Sequence, residues 1–233
     1  MLRILQEELA EGAIDAAVDR IAGGEPLQYV IGKACFGDFE LHLDHRVLIP
    51  RPETEELVAW VREEMGEGKR VLDIGTGSGA IALSLADHAE VWAIDVSAGA
   101  LAVARSNADA LGLELHFHQA DILDPGTWAQ WPEPDIIVAN PPYIPYKEWE
   151  GLEEHVRLHE PELALAVPDE DPLRFYHAIL AYAVSRDQQP VCYLELHEGM
   201  GEAFRSLVQD MGMGEAELRK DLSGRVRMGK VEP

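Results

Sequence analysis

The sequence predicts an α/β fold with a mainly parallel, seven-stranded sheet that helices cover on both faces. From Lys69 onward, short apolar runs alternate with helix-forming stretches, which is typical of a parallel sheet. A glycine-rich turn follows the first of these runs, at the place where a strand would pass into a helix. Two short strand-like pieces near the carboxyl terminus predict an antiparallel hairpin at one edge of the sheet.

Five apolar runs are the predicted parallel strands. They lie at residues 70–74, 91–94, 113–117, 136–139 and 191–196. Residues 80–86 and 98–111 are rich in helix formers and predict the helices between the first strands. We expect a further helix over residues 201–209, followed by the edge hairpin at residues 217–219 and 225–228.

The segment ahead of Lys69 has a different pattern. Apolar residues recur on one face over residues 1–21, which predicts a single helix. Alternating apolar residues over 36–48, with Gly37 and Asp44 as turn candidates, predict a β-hairpin, and a helix is expected over residues 54–65. The predicted organisation is therefore an amino-terminal helix (1–23), a β-hairpin linker (24–52) and the main α/β domain (53–233).

Charge and composition limit the classes of partner that this protein is expected to bind. The 233 residues carry a formal net charge of −24, which opposes binding to a polyanion and favours a small molecule or a neutral or basic protein; a high-salt habitat would also explain it. The chain shows no apolar stretch of membrane-spanning length and no secretory signal. Cys35 and Cys192 are expected to be buried, reduced thiols, which fits a cytoplasmic protein. The nine histidines lack metal-ligand spacing, so no metal site is expected.

The most informative segment is Asn140-Pro141-Pro142-Tyr143, directly after the predicted strand at 136–139. Two prolines in succession remove two backbone donors and fix φ twice, so the strand cannot continue. An Asn side chain at such a rigid corner can grip a planar group that carries an NH2, because it has one carbonyl and one NH2 of its own. The tyrosine ring can lie over that planar group.

The cofactor candidates also follow strand ends. The turn from Gly75 to Gly79 allows a ligand to approach the backbone at a helix amino terminus. Asp95 closes the second strand and can accept both hydroxyls of a ribose, and Asp121 and Ile122 can receive an adenine ring. These features suit a dinucleotide or S-adenosylmethionine equally well. The Asn-Pro-Pro-Tyr segment favours S-adenosylmethionine, because an N-methyltransferase needs an amide clamp and a nicotinamide enzyme does not.

Several segments resemble the release-factor glutamine methyltransferases. They are residues 24–32 (GEPLQYVIG), 48–55 (LIPRPETE), 140–143 (NPPY), 159–165 (HEPELAL), 194–197 (LELH) and 221–226 (DLSGRV). The resemblance implies a Rossmann-like methyltransferase fold, with residues 53–233 as the methyltransferase domain. It implies S-adenosylmethionine as cofactor, and as substrate the glutamine of the Gly-Gly-Gln motif in bacterial peptide-chain release factors. Members of this family usually have a larger helical domain before residue 24, so the resemblance implies a shortened amino-terminal domain here.

The expected site combines a cofactor pocket with a substrate clamp. We expect the Asn140 side-chain carbonyl and the Pro141 backbone carbonyl each to accept one N–H of the substrate amide, with Tyr143 over its plane. These three are the expected catalytic residues, and Asn140, Pro141, Pro142 and Tyr143 the expected substrate contacts. The expected cofactor contacts are Gly75, Thr76, Gly77, Ser78, Gly79, Asp95, Asp121, Ile122 and Asn140. The segment 49–52, which includes Arg51, is expected to border the cofactor pocket.

Three other functions fit parts of the pattern. A DNA or RNA adenine-N6 methyltransferase would use the same clamp on a base, but should carry a basic face and a target-recognition segment. A nicotinamide-dependent dehydrogenase would leave residues 140–143 unexplained. A non-catalytic binding module would retain the pocket without needing the clamp. The expected partner is therefore a release factor, with no direct nucleic-acid or membrane contact.

Overall fold

The computed structural model describes residues 2–232. Met1, the first residue of the predicted amino-terminal helix, and Pro233, the last residue of the predicted main domain, lie outside the described residues. The elements ahead of the main sheet are helix α1 (Leu2–Glu8), helix α2 (Ile14–Ala22), helix α3 (Leu27–Ile31), strands β1 (Lys33–Phe36) and β2 (Phe39–His42), and helix α4 (Pro52–Glu64). Short 3-10 turns lie at Glu11–Ala13, Pro125–Gln130 and Glu162–Ala164.

The amino-terminal segment contains two helices where the sequence predicted one. The break falls between α1 and α2, in the turn that contains Gly12, a poor helix former. Leu5, Ala17 and Val30 pack together in one small apolar cluster. An unbroken helix would hold Leu5 and Ala17 about 18 Å apart along its axis. Burying both in one cluster therefore requires the chain to fold back.

The amino-terminal hairpin also lies earlier than predicted, at β1 and β2 instead of residues 36–48. Phe36 pairs with Phe39 across a turn in which Gly37 has a φ of 54°. Asp44 does form a turn, but this turn leads away from the hairpin, since the backbone N–H of Arg46 donates to the Asp44 carboxylate at 3.0 Å. The linker predicted at 24–52 thus holds a short helix, a hairpin and an extended segment.

The main domain follows α4. Its elements are β3 (Lys69–Ile74), α5 (Ala80–Leu85), β4 (Ala89–Asp95), α6 (Ala98–Leu111), β5 (His116–Gln119), β6 (Ile136–Ala139), β7 (Ile144–Pro145), α7 (Tyr146–Trp149), α8 (Glu154–His159), β8 (Ala166–Val167), α9 (Arg174–Val184), β9 (Val191–Glu195), α10 (Gly201–Asp210), β10 (Ala216–Lys220) and β11 (Val226–Val231). Within residues 2–232 no helix has both the length and the apolar character needed to cross a membrane.

The predicted fold class is confirmed. Seven strands form one sheet in the order β10-β11-β9-β6-β3-β4-β5. Strands β9, β6, β3, β4 and β5 are parallel, whereas β11 and β10 add an antiparallel edge. The chain leaves β3 towards β4 on one side and β6 lies on the other, so the strand order reverses at β3. A crevice at the carboxyl ends of the strands is expected at such a point.

Two apolar layers cover the sheet because successive strand residues point to opposite faces. Leu72 and Ile137 pack with α9 and α10 on one face, whereas Val71 and Val138 pack with α4 and α5 on the other. The third predicted strand begins later than its alternating pattern suggested. Leu113 and the residues after it do turn apolar side chains inward, but the ladder with β4 starts only where His116 pairs with Trp92.

Asn107 ties the amino-terminal hairpin to the main domain. Its Nδ2 donates to the carbonyls of His42 at 3.1 Å and Ser78 at 2.9 Å, and its Oδ1 accepts from the His42 N–H at 2.7 Å. Asn107 is 1% exposed; its bond to the Ser78 carbonyl is buried, and its two bonds to His42 are partly buried. One residue of α6 therefore joins β2 to the glycine-rich turn.

We expect Asn107→Leu to lower the free energy of unfolding by about 3 kcal/mol, because one buried and two partly buried backbone groups lose their partner. Urea denaturation followed by circular dichroism measures this change. Ser106→Ala, an exposed neighbour on the same helix, is the control and should have almost no effect. An equally small effect of Asn107→Leu would show that the hairpin is held by other contacts.

Candidate active site

A cavity of about 440 Å³ opens at the carboxyl ends of β3, β4, β5 and β6. Its floor comes from the predicted glycine-rich turn, and its walls come from the strand ends and from the segment before α4. The predicted site residues that line it are Gly75, Thr76, Gly77, Ser78, Asp95, Asp121, Ile122, Asn140, Pro141 and Pro142. The strand ends thus bring together residues that are distant in the sequence.

The glycines of the turn divide into two roles. Gly75 and Gly77 have φ values of 77° and 56°, which side chains rarely adopt. A Cβ on either would meet no described atom within 4 Å, so both leave an open cradle beside the cavity. Gly79 was predicted as a cofactor contact, but among residues 2–232 it is not part of the lining. A Cβ there would come within 3.2 Å of the Ala104 Cβ, so Gly79 permits close packing of α5 on α6.

A buried carboxyl group supports the turn from below. Asp73 is fully buried, and Thr76 Oγ1 donates to its Oδ2 at 2.6 Å. The Ala82 N–H in α5 donates to the same oxygen at 3.2 Å. Burial raises the pKa of Asp73 to about 7, against which these two hydrogen bonds act. Asp73 therefore fixes the start of α5 relative to β3.

Asp95, a predicted cofactor contact, lies at the end of β4 and lines the cavity. One carboxylate oxygen accepts from the Gly77 N–H at 2.9 Å and the other from the Ser97 N–H at 2.8 Å. Burial raises the pKa of Asp95 despite these bonds. Each oxygen keeps a lone pair for a ligand hydroxyl. On the next strand end, Asp121 accepts from the Leu123 N–H at 2.8 Å and lies beside Ile122 in the lining.

A short extended segment before α4 closes one side of the cavity, and its arginine is paired. Pro50 and Arg51 contribute to the lining. The Arg51 guanidinium donates to Glu160 Oε1 at 2.5 Å, and the Ile49 N–H donates to Glu160 Oε2 at 3.2 Å. The Glu160 side chain is completely buried. A buried carboxylate with both oxygens paired thus links the segment at 48–55 to the one at 159–165, two of the segments that carry the family resemblance.

The Asn140–Tyr143 corner is held from outside the main sheet. The backbone N–H groups of Tyr143 and Ile144 both donate to the Leu165 carbonyl, at 3.2 and 2.9 Å. Strand β7 then pairs with β8. The helices and short strands between residues 144 and 184 were not predicted, and this pairing is what they supply to the site. Asn140, Pro141 and Pro142 face the cavity from this fixed loop.

Two site residues escaped the sequence prediction. The Thr54 hydroxyl donates to Glu195 Oε2 at 2.6 Å, and Asn140 Nδ2 donates to Thr54 Oγ1 at 3.2 Å. Thr54 is 4% exposed and Glu195 1% exposed. Burial raises the pKa of Glu195 to about 7. Both residues lie within segments that carry the family resemblance (48–55 and 194–197), which is the signal that could have singled them out.

Tyr143 has a different position from the predicted one. We expected its ring over the substrate amide, but within the described chain Tyr143 is not part of the cavity lining. Its hydroxyl donates to Glu195 Oε1 at 3.2 Å, and its ring packs edge-on against His197 with centroids 5.7 Å apart. The two prolines turn the chain before Tyr143, which directs the ring inward towards β9. Cys35 also differs from expectation, since it is exposed, whereas Cys192 is buried.

The arrangement provides two kinds of chemistry side by side. Asp95 and Asp121 offer acceptors for hydroxyl or amino groups, and the glycine backbone offers a close approach. Next to them, Asn140 offers a rigidly held amide that can align a second molecule. A cavity that holds a nucleoside-bearing donor beside a clamp for an N–H group suits group transfer to nitrogen.

Comparisons with known proteins agree with this fold. A family model described as a methyltransferase domain matches residues 71–162. The 16S rRNA N2 G1207 methyltransferase of T. thermophilus, solved with AdoMet and guanosine, has a similar structure, with a TM-score of 0.61 at 20% identity over 86% of this chain and 49% of that one. The fold and the matched family model therefore define a methyltransferase of the Rossmann-like type.

Proteins related in sequence identify the family to which the chain belongs. The release factor glutamine methyltransferase of Lactococcus lactis subsp. lactis is 37% identical over 99% of this chain and 87% of its own length. The enzyme of the same name from Bacillus subtilis is 40% identical over 97% of this chain and 83% of its own length. The chain belongs to the release factor glutamine methyltransferase family.

We expect Arg51→Ala to weaken binding of S-adenosylhomocysteine about tenfold, because it leaves the buried Glu160 carboxylate without its ionic partner and loosens a wall of the cavity. Isothermal titration calorimetry measures this affinity. The double variant Arg51→Ala/Glu160→Gln removes the orphaned charge and should recover part of the loss. Arg205→Ala, an exposed ion-paired arginine on α10, is the control. Equal affinities for Arg51→Ala and this control would refute the bracing role of the pair.

Proposed function

We propose that this protein transfers a methyl group from S-adenosylmethionine to the side-chain amide nitrogen of a glutamine in a peptide-chain release factor, at the Gly-Gly-Gln motif. The observation that carries the proposal is the Asn140 amide, held by a buried network at the edge of a cofactor-sized cavity. The names of the relatives support the substrate, since they are release factor glutamine methyltransferases.

The residues of the cavity fit S-adenosylmethionine by their chemistry. Gly75 and Gly77 leave open backbone at the cavity floor, where no side chain blocks a ligand. Asp95 would take the ribose hydroxyls, and Asp121 and Ile122 would receive the adenine. S-adenosylmethionine supplies an activated methyl group on a sulfonium, so the protein needs to align the acceptor nitrogen and need not activate the donor.

Alignment of the acceptor is assigned to the Asn140–Tyr143 corner. A carboxamide nitrogen is a poor nucleophile because its lone pair is delocalised into the carbonyl. Asn140 Oδ1 and the backbone carbonyl of Pro141 would each accept one N–H of the substrate amide and so fix its plane. Two acceptors also stabilise the positive charge that grows on nitrogen during attack. The amide proton becomes acidic after methyl transfer, so it can leave to solvent without a dedicated base.

A nucleic-acid base is the less favoured acceptor. An adenine amino group could use the same two carbonyl acceptors. The relatives named above act on a protein by their names, however, and the formal net charge of −24 gives little attraction for a phosphate backbone. We therefore assign the clamp to a glutamine side chain. The partner is then a release factor that presents this glutamine on an accessible loop.

We expect Asn140→Ala to lower kcat for methylation of a release factor about 100-fold or more, since it removes one of the two acceptors that align the amide. The measurement is transfer of labelled methyl from saturating S-adenosylmethionine, followed by peptide mapping of the modified residue. The label should map to the glutamine of the Gly-Gly-Gln motif, and duplex DNA should take up none.

The matched control for this variant is Gln209→Ala, which removes an exposed carboxamide on α10 and should leave kcat at the wild-type value. Binding of S-adenosylhomocysteine to Asn140→Ala shows whether the cavity is intact. A wild-type rate for Asn140→Ala would refute the role of Asn140 in aligning the substrate amide. Methylation of another residue or of DNA by the wild-type protein would refute the assignment of the Gly-Gly-Gln glutamine as substrate.

A further inference from the structure

The Thr54 hydroxyl stands between two polar groups and has only one proton to give. It lies 2.6 Å from Glu195 Oε2 and 3.2 Å from Asn140 Nδ2. An ionised carboxylate can only accept hydrogen bonds. The Thr54 proton is therefore directed to Glu195, and the shorter distance is the one typical of a hydrogen bond from a hydroxyl to a charged oxygen.

This first bond determines the second. With its proton committed to Glu195, Thr54 presents only lone pairs to Asn140. Asn140 must therefore donate from its NH2, since its carbonyl oxygen would otherwise face the Thr54 oxygen, with an acceptor on both sides. Its Oδ1 is consequently the end of the amide left for the cavity that Asn140 lines. The orientation of the Asn140 amide at the cavity thus follows from the Glu195 carboxylate. Glu195 is 1% exposed and contacts Asn140 only through Thr54.

We propose that Thr54 and Glu195 are positioning residues that select the substrate by fixing the polarity of the Asn140 amide. The inference rests on the proposed glutamine methylation and deepens it. An amide that shows its oxygen to the cavity accepts a glutamine NH2 and rejects a glutamate carboxylate, which could only bring another acceptor. The chain of hydrogen bonds from Asn140 through Thr54 to Glu195, called the relay below, therefore distinguishes two side chains of nearly equal shape.

The carboxylate is held so that it cannot easily release Thr54. The Tyr143 hydroxyl donates to its other oxygen at 3.2 Å, so each oxygen has its own donor. The Glu195 backbone carbonyl accepts from the Tyr176 hydroxyl at 3.0 Å, which fixes the strand end. Turning either side-chain donor away would leave a buried carboxylate oxygen without a partner, which is unfavourable. The relay has one low-energy arrangement while Glu195 is ionised.

Protonation of Glu195 would reverse the relay. A proton on Oε2 turns Glu195 into a donor towards Thr54, whose own proton then points to Asn140 and draws the amide oxygen inward. The charged and titratable groups around Glu195 are Glu53 from α4, Tyr143, Tyr176 from α9 and Arg227 from β11. Burial and Glu53 raise its pKa to about 7, while Thr54, Tyr143 and Arg227 oppose the shift. Activity should accordingly fall as the pH drops below about 7.

The first test compares Thr54→Val with Thr54→Ser in the full-length protein. Valine keeps the shape of threonine without the hydroxyl, so kcat should fall at least about tenfold as Asn140 loses its orientation. Affinity for S-adenosylhomocysteine should change much less. Serine restores the hydroxyl and should recover most of kcat. A kcat for Thr54→Val equal to that of the wild type would overturn the proposal.

The second test measures selectivity directly. A release factor with glutamate in place of the Gly-Gly-Gln glutamine serves as a competitive inhibitor, and its affinity is compared with that of the glutamine form. The wild type should prefer the glutamine form about tenfold or more, by the cost of facing two acceptors. In Thr54→Val the amide is free to turn, so this preference should shrink towards unity. An unchanged preference would contradict the selecting role.

The third test uses the pH profile of kcat. Glu195→Gln has one acceptor where the relay needs two, so kcat should fall about tenfold at alkaline pH. It also removes the titrating group, so the loss of activity near pH 7 should disappear. Asp73, whose pKa is also raised to about 7, is unchanged in this variant, so any loss of activity that its titration causes would remain. An acid limb that persists in Glu195→Gln would show that another group controls the rate.

These outcomes separate the two proposals. If the wild-type protein does not methylate a release factor, the proposed function fails. If it does, and Thr54→Val and Glu195→Gln behave as the wild type, only the relay fails. Should Thr54→Val not fold, the Glu195→Gln profile still decides, because glutamine has nearly the same shape as glutamate.

Discussion

The structure of the site depends on one constraint, the need to satisfy the buried carboxylate of Glu195. A carboxylate that is 1% exposed must find donors, because an unpaired buried charge costs several kcal/mol. One of its oxygens accepts a hydrogen bond from the Thr54 hydroxyl in α4, and the other accepts one from the Tyr143 hydroxyl in the Asn-Pro-Pro-Tyr corner. Both donors lie far from Glu195 in the sequence. Helix α4, the clamp and strand β9 are thereby joined at one point.

Glu160 shows a second solution to the same problem. It is also buried, but its partner is the Arg51 guanidinium, a full positive charge. That pairing suits a brace, because an ion pair between a buried carboxylate and a guanidinium holds the wall of the cavity. Glu195 is met mainly by neutral hydroxyls, so burial dominates and raises its pKa to about 7. Glu160 is thus paired with a charged partner and supports the cavity wall, whereas Glu195 is paired with hydroxyl groups and orients Asn140 through Thr54.

The sequence predicts the parts of the fold that local pattern controls. The strands at 70–74, 136–139 and 191–196 are apolar runs that only a doubly covered sheet can bury, and all three lie within one residue of their predicted ends. The position of residues 140–143 follows from two prolines. Contacts such as Thr54 with Glu195 were not predictable in this way, because residues 141 positions apart meet only through the strand order. The hairpin and the amino-terminal helices were misplaced for the same reason, since tertiary packing determines where they begin and end.

Two of the carboxyl groups with raised pKa, Asp73 and Glu195, also connect function to stability. Asp73 and Glu195 ionise near neutral pH in the folded protein and near pH 4 when unfolded, so each stabilises the fold fully below its unfolded pKa. That contribution is lost as the pH rises through about 7. The ionised form of Glu195, which orients Asn140, is therefore the form that costs stability. A fold selected for stability alone would place an apolar residue there, and the retained carboxylate is explained by the substrate amide that it helps to orient.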